Sequence, residues 1–568
     1  MKRLMTVVMV MSVLAAAAVL RAAGGETPSF SARMTVDLSS VTNAETLWTM
    51  GPARLALRFA GQDKALADYD RQLANYCNFR MPDGTCPVLE ATICDKAGRI
   101  GIPLDAITNR AACTVTLRYA SPSWRIEAGG ETDEEFPVPK HPVDWSGDLT
   151  PRVRSPRVSG VKLDSPAAPL PEEPDARPVT RPIQYWTPDG YNQWVGDVAP
   201  GWFDGTLHVF YLLDRRHHKS GAGGGRHQFA HLVTDDLVRW TERPLAVPIT
   251  EEWQTVGTGT PFLKDGKVAI AFGWHTDRFC TPTKERPMGG TYAVSDDGVR
   301  FRWTKEMVSD AQNPSIYNLA DGRYELVTSY GGSIGIFRSA NLRDWTLFDD
   351  KLPFRGDCPS LFDWHGRRYL LQGFTNMAYS PNGAKGSFVN WSGRPDALYD
   401  GLAVPMVTKW KDDRRLYIGW LMHLYGWGGW LVFREVVSYP DGALGLKWVP
   451  EIVPPTRPVS FSCAKGEKLV RRFVRMNGNG PALVFAVDPS ARTASFADDV
   501  EKPEFKGLCH AANVRIGDIR GIDGAYGVRL IVHYDAKADA TIFDAEIAGQ
   551  RTLICRREGW FSAEGDGK

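Results

Sequence analysis

The chain has 568 residues, is 43% hydrophobic, and carries 67 basic against 66 acidic side chains for a formal net charge of +1. That length calls for two to four domains, and the apolar content is enough for large cores. The near-neutral balance excludes any global pull towards nucleic acid, a membrane surface or an acidic partner.

The N-terminus reads as a secretory signal over residues 1–23. Lys2 and Arg3 supply the charged region, Thr6 to Leu20 the apolar Ala-rich run, and Ala22 to Gly25 the small residues of a cleavage site. The run is short for a membrane span, although an uncleaved anchor is an alternative, and no second such run follows. The expected location is secreted, periplasmic or cell-surface, with no transmembrane span after cleavage. Nine cysteines are scattered from Cys77 to Cys555, four of them between residues 77 and 113. An odd count leaves at least one unpaired within the chain, and an exported compartment permits disulfides. Without a CxxC pair, no structural zinc site is expected.

Residues 26–136 alternate like a β-domain. The runs Ser29 to Leu38, Arg54 to Phe59, Val88 to Ile93, Cys113 to Tyr119 and Trp124 to Ala128 are separated by Gly, Pro, Asp and Asn clusters, which suggests a sandwich. Asp63 to Tyr76 is a helical candidate within it. The closing WRIEAGGETDEEFPVP resembles the final hairpin of a laminin-G or concanavalin-like jelly roll. Such a domain either binds carbohydrate or props up its neighbour. Residues 137–182 are Pro-rich and short of apolar runs, and read as a linker or an extended arm.

Residues 183–455 hold a repeat. Five times a turn leads into a strand: DGTLHVFYLL at 204, DGKVAIAFGW at 265, DGRYELVTSY at 321, HGRRYLLQGF at 365 and DDRRLYIGWL at 412. A second signature lies between several of them, TDDLVRW at 234, SDDGVRFRW at 295 and SANLRDW at 339. Regular β-units at this period predict a propeller, here of five blades. After VPPTRP, residues 457–568 read as a further β-sandwich, with strands at Ala482 to Val487, Val528 to Tyr534 and Ala540 to Ile547. The predicted class is all-β: a jelly-roll-like sandwich, a central five-bladed β-propeller and a C-terminal β-sandwich.

The propeller segment resembles glycoside hydrolase family 32, the invertase, inulinase and levanase group. QWVGDVAPGWFDGTLHVFYL, with Asp197, is similar to the family's first-blade W-M-N-D-P-N-G block. HQFAHLVTDDLVRWTERPLAV and GTGTPFLKDGKVAIAF follow the next two family segments, and GDCPSLFDWHGRRYLL places Asp357 on the E-C-P motif. RRLYIGWL and FREVVSYPDGALGLKWVPE match the closing ones. Three departures stand out. Gly196 replaces the usual Asn before the first carboxylate, Asp357 replaces Glu, and the R-D-P motif is Gln312-Asn313-Pro314.

Glycosidic cleavage needs one group to protonate the leaving oxygen and another to attack, or activate water, from the opposite face. The resemblance implies a retaining mechanism with Asp197 as nucleophile and Asp357 as acid/base. It also places Asn313 where a charged residue steadies the transition state. An aspartate reaches about 1.3–1.5 Å less far than a glutamate, a shortfall able to cost on the order of 100-fold in rate. Asn313 can hydrogen-bond a hydroxyl but supplies no charge.

Substrate contacts are expected from Gln193 and Gln312, from Arg215, Arg216 and His217 at the pocket rim, and from Trp194, Trp202, Trp253 and Trp274 by stacking. Each Trp could equally be a wedge between blades. The loop from Asp214 through His218 to His227 and His231 carries imidazoles, but its irregular spacing argues against a metal. Its glycines lack the Lys-Ser/Thr of a phosphate cradle. No metal or cofactor is expected, and the partner is an oligo- or polysaccharide. Two alternatives stay open: an inverting arabinan- or xylan-type glycosidase similar to family 43, and a glycan-binding protein that has lost its chemistry.

Overall fold

The computed structural model describes residues 28–61, 85–93, 98–137, 143–215, 226–275, 281–311, 313–392, 398–424, 426–476, 480–505 and 513–564. The secretory signal, the helical candidate 63–76, Arg216, His217, His218 and Gln312 lie outside the described residues. The described chain is all-β, with only short 3-10 turns besides strands.

The first sandwich has two five-stranded sheets. One runs Val158–Asp164, Phe30–Val36, Cys113–Ala120, Ser123–Ala128, Glu131–Glu135; the other Arg99–Pro103, Cys86–Thr92, Ala53–Ala60, Glu45–Met50, Arg152–Val153. Strands such as Cys113–Ala120 bury every second residue, as a sheet with one face on a core must. The Pro-rich stretch 137–182 is only partly a connector. Arg152–Val153 and Val158–Asp164 are edge strands of this sandwich, and Arg177–Pro178 pairs with Thr241–Val247 of the propeller. Exposed edge strands bury few side chains, so they leave little hydrophobic pattern to read.

Five antiparallel units follow. Their first strands are Gln193–Phe203, Pro261–Lys264, Ser315–Asn318, Pro359–Trp364 and Ala403–Lys409. The turn–strand repeat is a hairpin, tightest in blades one, two and four. Phe203 pairs with Thr206, Lys264 with Lys267 and Trp364 with Arg367, around Asp204-Gly205, Asp265-Gly266 and His365-Gly366. All six turn residues have positive φ, the type I′ geometry whose twist matches the strands. The second signature is a turn closed by side chains. Thr234 Oγ1 accepts the N–H of Leu237, Asp236 Oδ1 accepts those of Val238 and Arg239, and Trp240 Nε1 donates to Leu237 O. Ser339, Asn341 and Trp345 repeat it. Blades one and five join in one sheet through Val195 and Gly429, so the last blade meets the first by backbone pairing.

A four-stranded and a five-stranded sheet form the C-terminal sandwich. It grips the propeller through Arg434, buried without exposure and bonded to Asp400 (2.8 Å) and Asp544 (2.9 Å), both equally buried. Tyr185 Oη also donates to Asp544. On the other side Arg215 pairs with Glu134 at 2.6 Å, and Asn192 Nδ2 donates to Asp133, joining propeller to first sandwich.

Candidate active site

One cavity of about 460 Å³ is lined by residues of all five blades. Asp197 comes from the first strand of blade one, Gly257 and Thr258 from the start of blade two, and Asn313 from just before blade three's first strand. Asp357 and Cys358 precede that of blade four, and Val404 belongs to blade five. Each blade thus offers the start of its first strand to a common centre.

Asp197 is buried, with 6% exposure. Thr258 Oγ1 donates to its Oδ2 at 2.5 Å, Cys358 Sγ to the same oxygen at 3.5 Å, and Trp420 Nε1 to Oδ1 at 3.3 Å. Burial pushes its pKa up to about 6, with the charge of Asp357 adding to the rise, while the three donors work against it. Cys358 is held well above the ordinary thiol value, by burial first and by the Asp197 and Asp357 charges next, so it remains a thiol that donates.

The altered positions meet here too. Asn313 is buried in a left-handed conformation (φ 55°) that its short amide tolerates. Its Nδ2 donates to Cys358 Sγ at 3.6 Å, and its Oδ1 faces His275 Nε2 at 3.3 Å. A chain of contacts therefore runs from Asp197 through Cys358 and Asn313 to His275, across blades one, four, three and two. Gly257 makes room for it, since a Cβ there would lie 1.9 Å from His275 Nε2. Asp357 is exposed at the pocket, and its Oδ1 accepts the N–H of Cys358 at 3.0 Å. Gln372 Nε2 holds the Asp357 carbonyl at 2.8 Å, an approach that needs Gly356, where a Cβ would lie 2.0 Å from Gln372 Cδ.

The pocket brings together Asp197, Asp357 and Asn313 but none of the four stacking candidates. Trp194 has no exposure; it packs edge-on against Trp430 (5.7 Å) with Lys537 Nζ over its ring. Trp253 and Trp274 meet each other at 5.5 Å in the core of blade two, beside Trp303. Trp202 packs against Trp410 between blades one and five. Burial of so much apolar ring area against neighbouring strands outweighs exposure at a rim. Arg215 is engaged by Glu134, and with Gln193 it lines a separate cleft beside the first sandwich. Among the loop histidines, His231 sits 3.0 Å from His208 and stacks on Phe210, and burial depresses its pKa. His227 does line the pocket, with Nε2 3.4 Å from Asp214. Among the described residues no three His, Cys, Asp or Glu side chains gather in a metal-holding group.

Thr258, His275, Trp420, Trp427 and the thiol of Cys358 escape sequence reasoning. Two carry a local signal, and that of Cys358 is its place beside Asp357. Thr258 could have been found in GTGTPFL, as the hydroxyl at the start of the second blade.

Residues 191–394, which cover the first four blades, match the profile of the Glycosyl hydrolases family 32 N-terminal domain. A levanbiose-producing levanase of Bacillus subtilis (strain 168) is 25% identical over 303 residues, 47% of this chain and 51% of the relative. A sucrose-6-phosphate hydrolase of Escherichia coli is 24% identical over 288 residues, 43% of this chain and 59% of the relative. The chain therefore spans between half and three-fifths of the length of these curated relatives. Among solved structures, a Bombyx mori GH32 beta-fructofuranosidase aligns with a TM-score of 0.50 at 15% identity, over 68% of this chain and 91% of that one. That likeness is one of fold.

Proposed function

We propose that this chain, whose propeller is of glycoside hydrolase family 32, is an exported glycosidase that cleaves β-fructofuranosides or a related glycan with retention. The observation that carries the proposal is the meeting of Asp197 and Asp357, from separate blades, in one pocket. Asp197 attacks the anomeric carbon and forms a glycosyl–enzyme ester while Asp357 gives its proton to the leaving oxygen. Asp357, now a carboxylate, takes a proton from water, which attacks the ester carbon, expels Asp197 and releases the sugar with its starting configuration.

The environment of Asp197 supports its part. Thr258, Cys358 and Trp420 each donate to the carboxylate, fix its orientation and favour the charged form over the buried acid. Asn313 and His275 line the same pocket and offer polar atoms for sugar hydroxyls.

The test is turnover of sucrose, inulin and levan by the purified protein, with products followed by NMR. The expected first-formed anomer retains the substrate configuration, and Asp197→Ala removes activity. An Asp197→Ala variant at wild-type rate refutes the assignment, and an inverted product replaces double displacement by direct attack of water. Export is checked by N-terminal sequencing of the mature protein, expected to begin just after residue 23.

A further inference from the structure

We infer that Trp427 is the sugar-stacking wall beside Asp197, and that the missing side chain at Gly196 is what admits it; this rests on the glycosidase reading above. Trp427 stands in the turn between Arg415–Met422 and Gly429–Ser438 of blade five, and it lines the pocket. Three contacts fix its ring. It lies over His227, centroids 4.5 Å apart and planes 31° from parallel. It meets Trp420 at 5.2 Å and 62°, and Trp420 is the indole that donates to Asp197. Its six-membered edge fills the space where a Cβ on residue 196 would be: that atom would lie 2.0 Å from Cη2, 2.4 Å from Cζ3 and 2.8 Å from Cζ2.

The turn itself is pinned against blade one. Gly428 has φ +82°, and a Cβ on it would lie 2.8 Å from Asp214 Oδ2 and 3.1 Å from Trp194 Cβ. The turn beside Trp427 is thus held close against blade one, where only glycine fits at 428. Any side chain at 196 larger than hydrogen must displace the indole, because its first carbon already overlaps the ring.

The chemical consequence concerns specificity. Residue 196, next to the nucleophile, presents no hydrogen-bonding group, and an aromatic surface takes its place. An indole attracts the C–H face of a sugar and cannot pair a hydroxyl aimed at its carbons. The terminal sugar must therefore turn a C–H-rich face towards the seam of blades one and five. A sugar with a hydroxyl at that point loses the hydrogen bond it had in water. Trp427 is thus a specificity-determining residue, acting on substrate binding more than on proton transfer.

The experiment is steady-state kinetics on sucrose, inulin and levan for Trp427→Phe, Trp427→Ala, Gly196→Ala and the double Gly196→Ala/Trp427→Ala variant. Trp427→Ala is expected to raise KM about tenfold with a smaller change in kcat, and Trp427→Phe to recover part of the loss. Gly196→Ala should lower kcat/KM comparably by expelling the ring, yet add less than about twofold once Trp427 is already Ala, because the clash is gone. A Trp427→Ala KM within about twofold of wild type, or single effects that multiply in the double variant, overturns the inference. An Asp197→Ala variant that keeps its rate refutes the assignment of Asp197 as nucleophile alone, since the KM series still reports on Trp427. If none of the three substrates is turned over, sucrose binding is titrated calorimetrically in the same variants. Equal affinity of Trp427→Ala and wild type then overturns the inference, and no binding by wild type overturns it together with the hydrolase reading.

Discussion

At the scale of single residues, the strongest constraint is the burial of Asp197. Its pKa of about 6 means that the carboxylate, the nucleophile of the proposed mechanism, forms only above that pH. The acid limb of kcat/KM should therefore fall near pH 6. Thr258→Val removes a donor that favours the charged form, so the limb should move to higher pH, read from a pH–rate profile. Stability follows the same proton. The folded-state pKa lies above the unfolded value of 3.8. The folded protein therefore holds the proton more tightly, and stability from this group is fully present below pH 3.8 and lost as pH rises through about 6. Above that pH the ionised, buried carboxylate costs on the order of 3 kcal/mol. Asp197→Asn should accordingly raise the denaturation midpoint at pH 7 while abolishing turnover, and an unchanged midpoint would contradict the burial cost. Asn313 is the other informative position. Asn313→Asp puts a carboxylate beside His275, and on the transition-state charge argument it is expected to raise kcat; a fall would show that the amide–thiol–imidazole chain is itself the working arrangement.

At the scale of elements, the sequence is legible where local chemistry decides conformation. Asp204-Gly205 and Asp265-Gly266 adopt paired positive φ because residues of this kind bear that geometry at least cost, and the flanking strands close the hairpin. The Thr234–Trp240 turn is equally local, since every bond in it spans three residues or fewer. Asp236→Ala strips the acceptor from two backbone N–H groups and should cost about 1–2 kcal/mol in chemical unfolding. Asn341→Ala should behave alike in blade three, where the same bonds recur. Gly205→Ala meets no atom within 4 Å, so whatever it costs comes from strain at φ +85°, about 1 kcal/mol. Legibility ended at the edges. Arg152–Val153 and Val158–Asp164 are mostly exposed strands in a Pro-rich stretch, and their one alternating run, Val161 to Asp164, is too short to separate from a linker.

At the scale of the whole molecule, Arg434 carries the join between propeller and C-terminal sandwich. It bonds Asp400 of the fifth-blade region and Asp544 of the sandwich, and Thr552 and Trp448 donate to the same carboxylates. Arg434→Ala leaves two buried carboxylates without their cation and should cost about 3–5 kcal/mol. In equilibrium unfolding, the propeller and the sandwich are then expected to lose their common transition. A single cooperative transition at the wild-type midpoint would show that apolar contacts alone hold the domains together.

The sequence by itself determined the all-β class, the five turn–strand units and the identity of Asp197, Asp357 and Asn313 as a group. Each depends on residues adjacent along the chain: turn residues that set φ, alternation that sets faces, and motifs that travel as short blocks. Only the tertiary structure decided which aromatic rings face the pocket. Trp194 stands between Gln193 and Val195 and Trp427 between Gly426 and Gly428, and neither setting tells which ring reaches the pocket. One is sealed beneath Trp430 and Lys537; the other reaches the cavity because the fifth blade closes onto Gly196 of the first. That choice is made by contacts between opposite ends of the propeller, and no local pattern encodes them. Thr258 and Trp420 likewise become partners of Asp197 only when the ring of blades brings three distant strands to one centre.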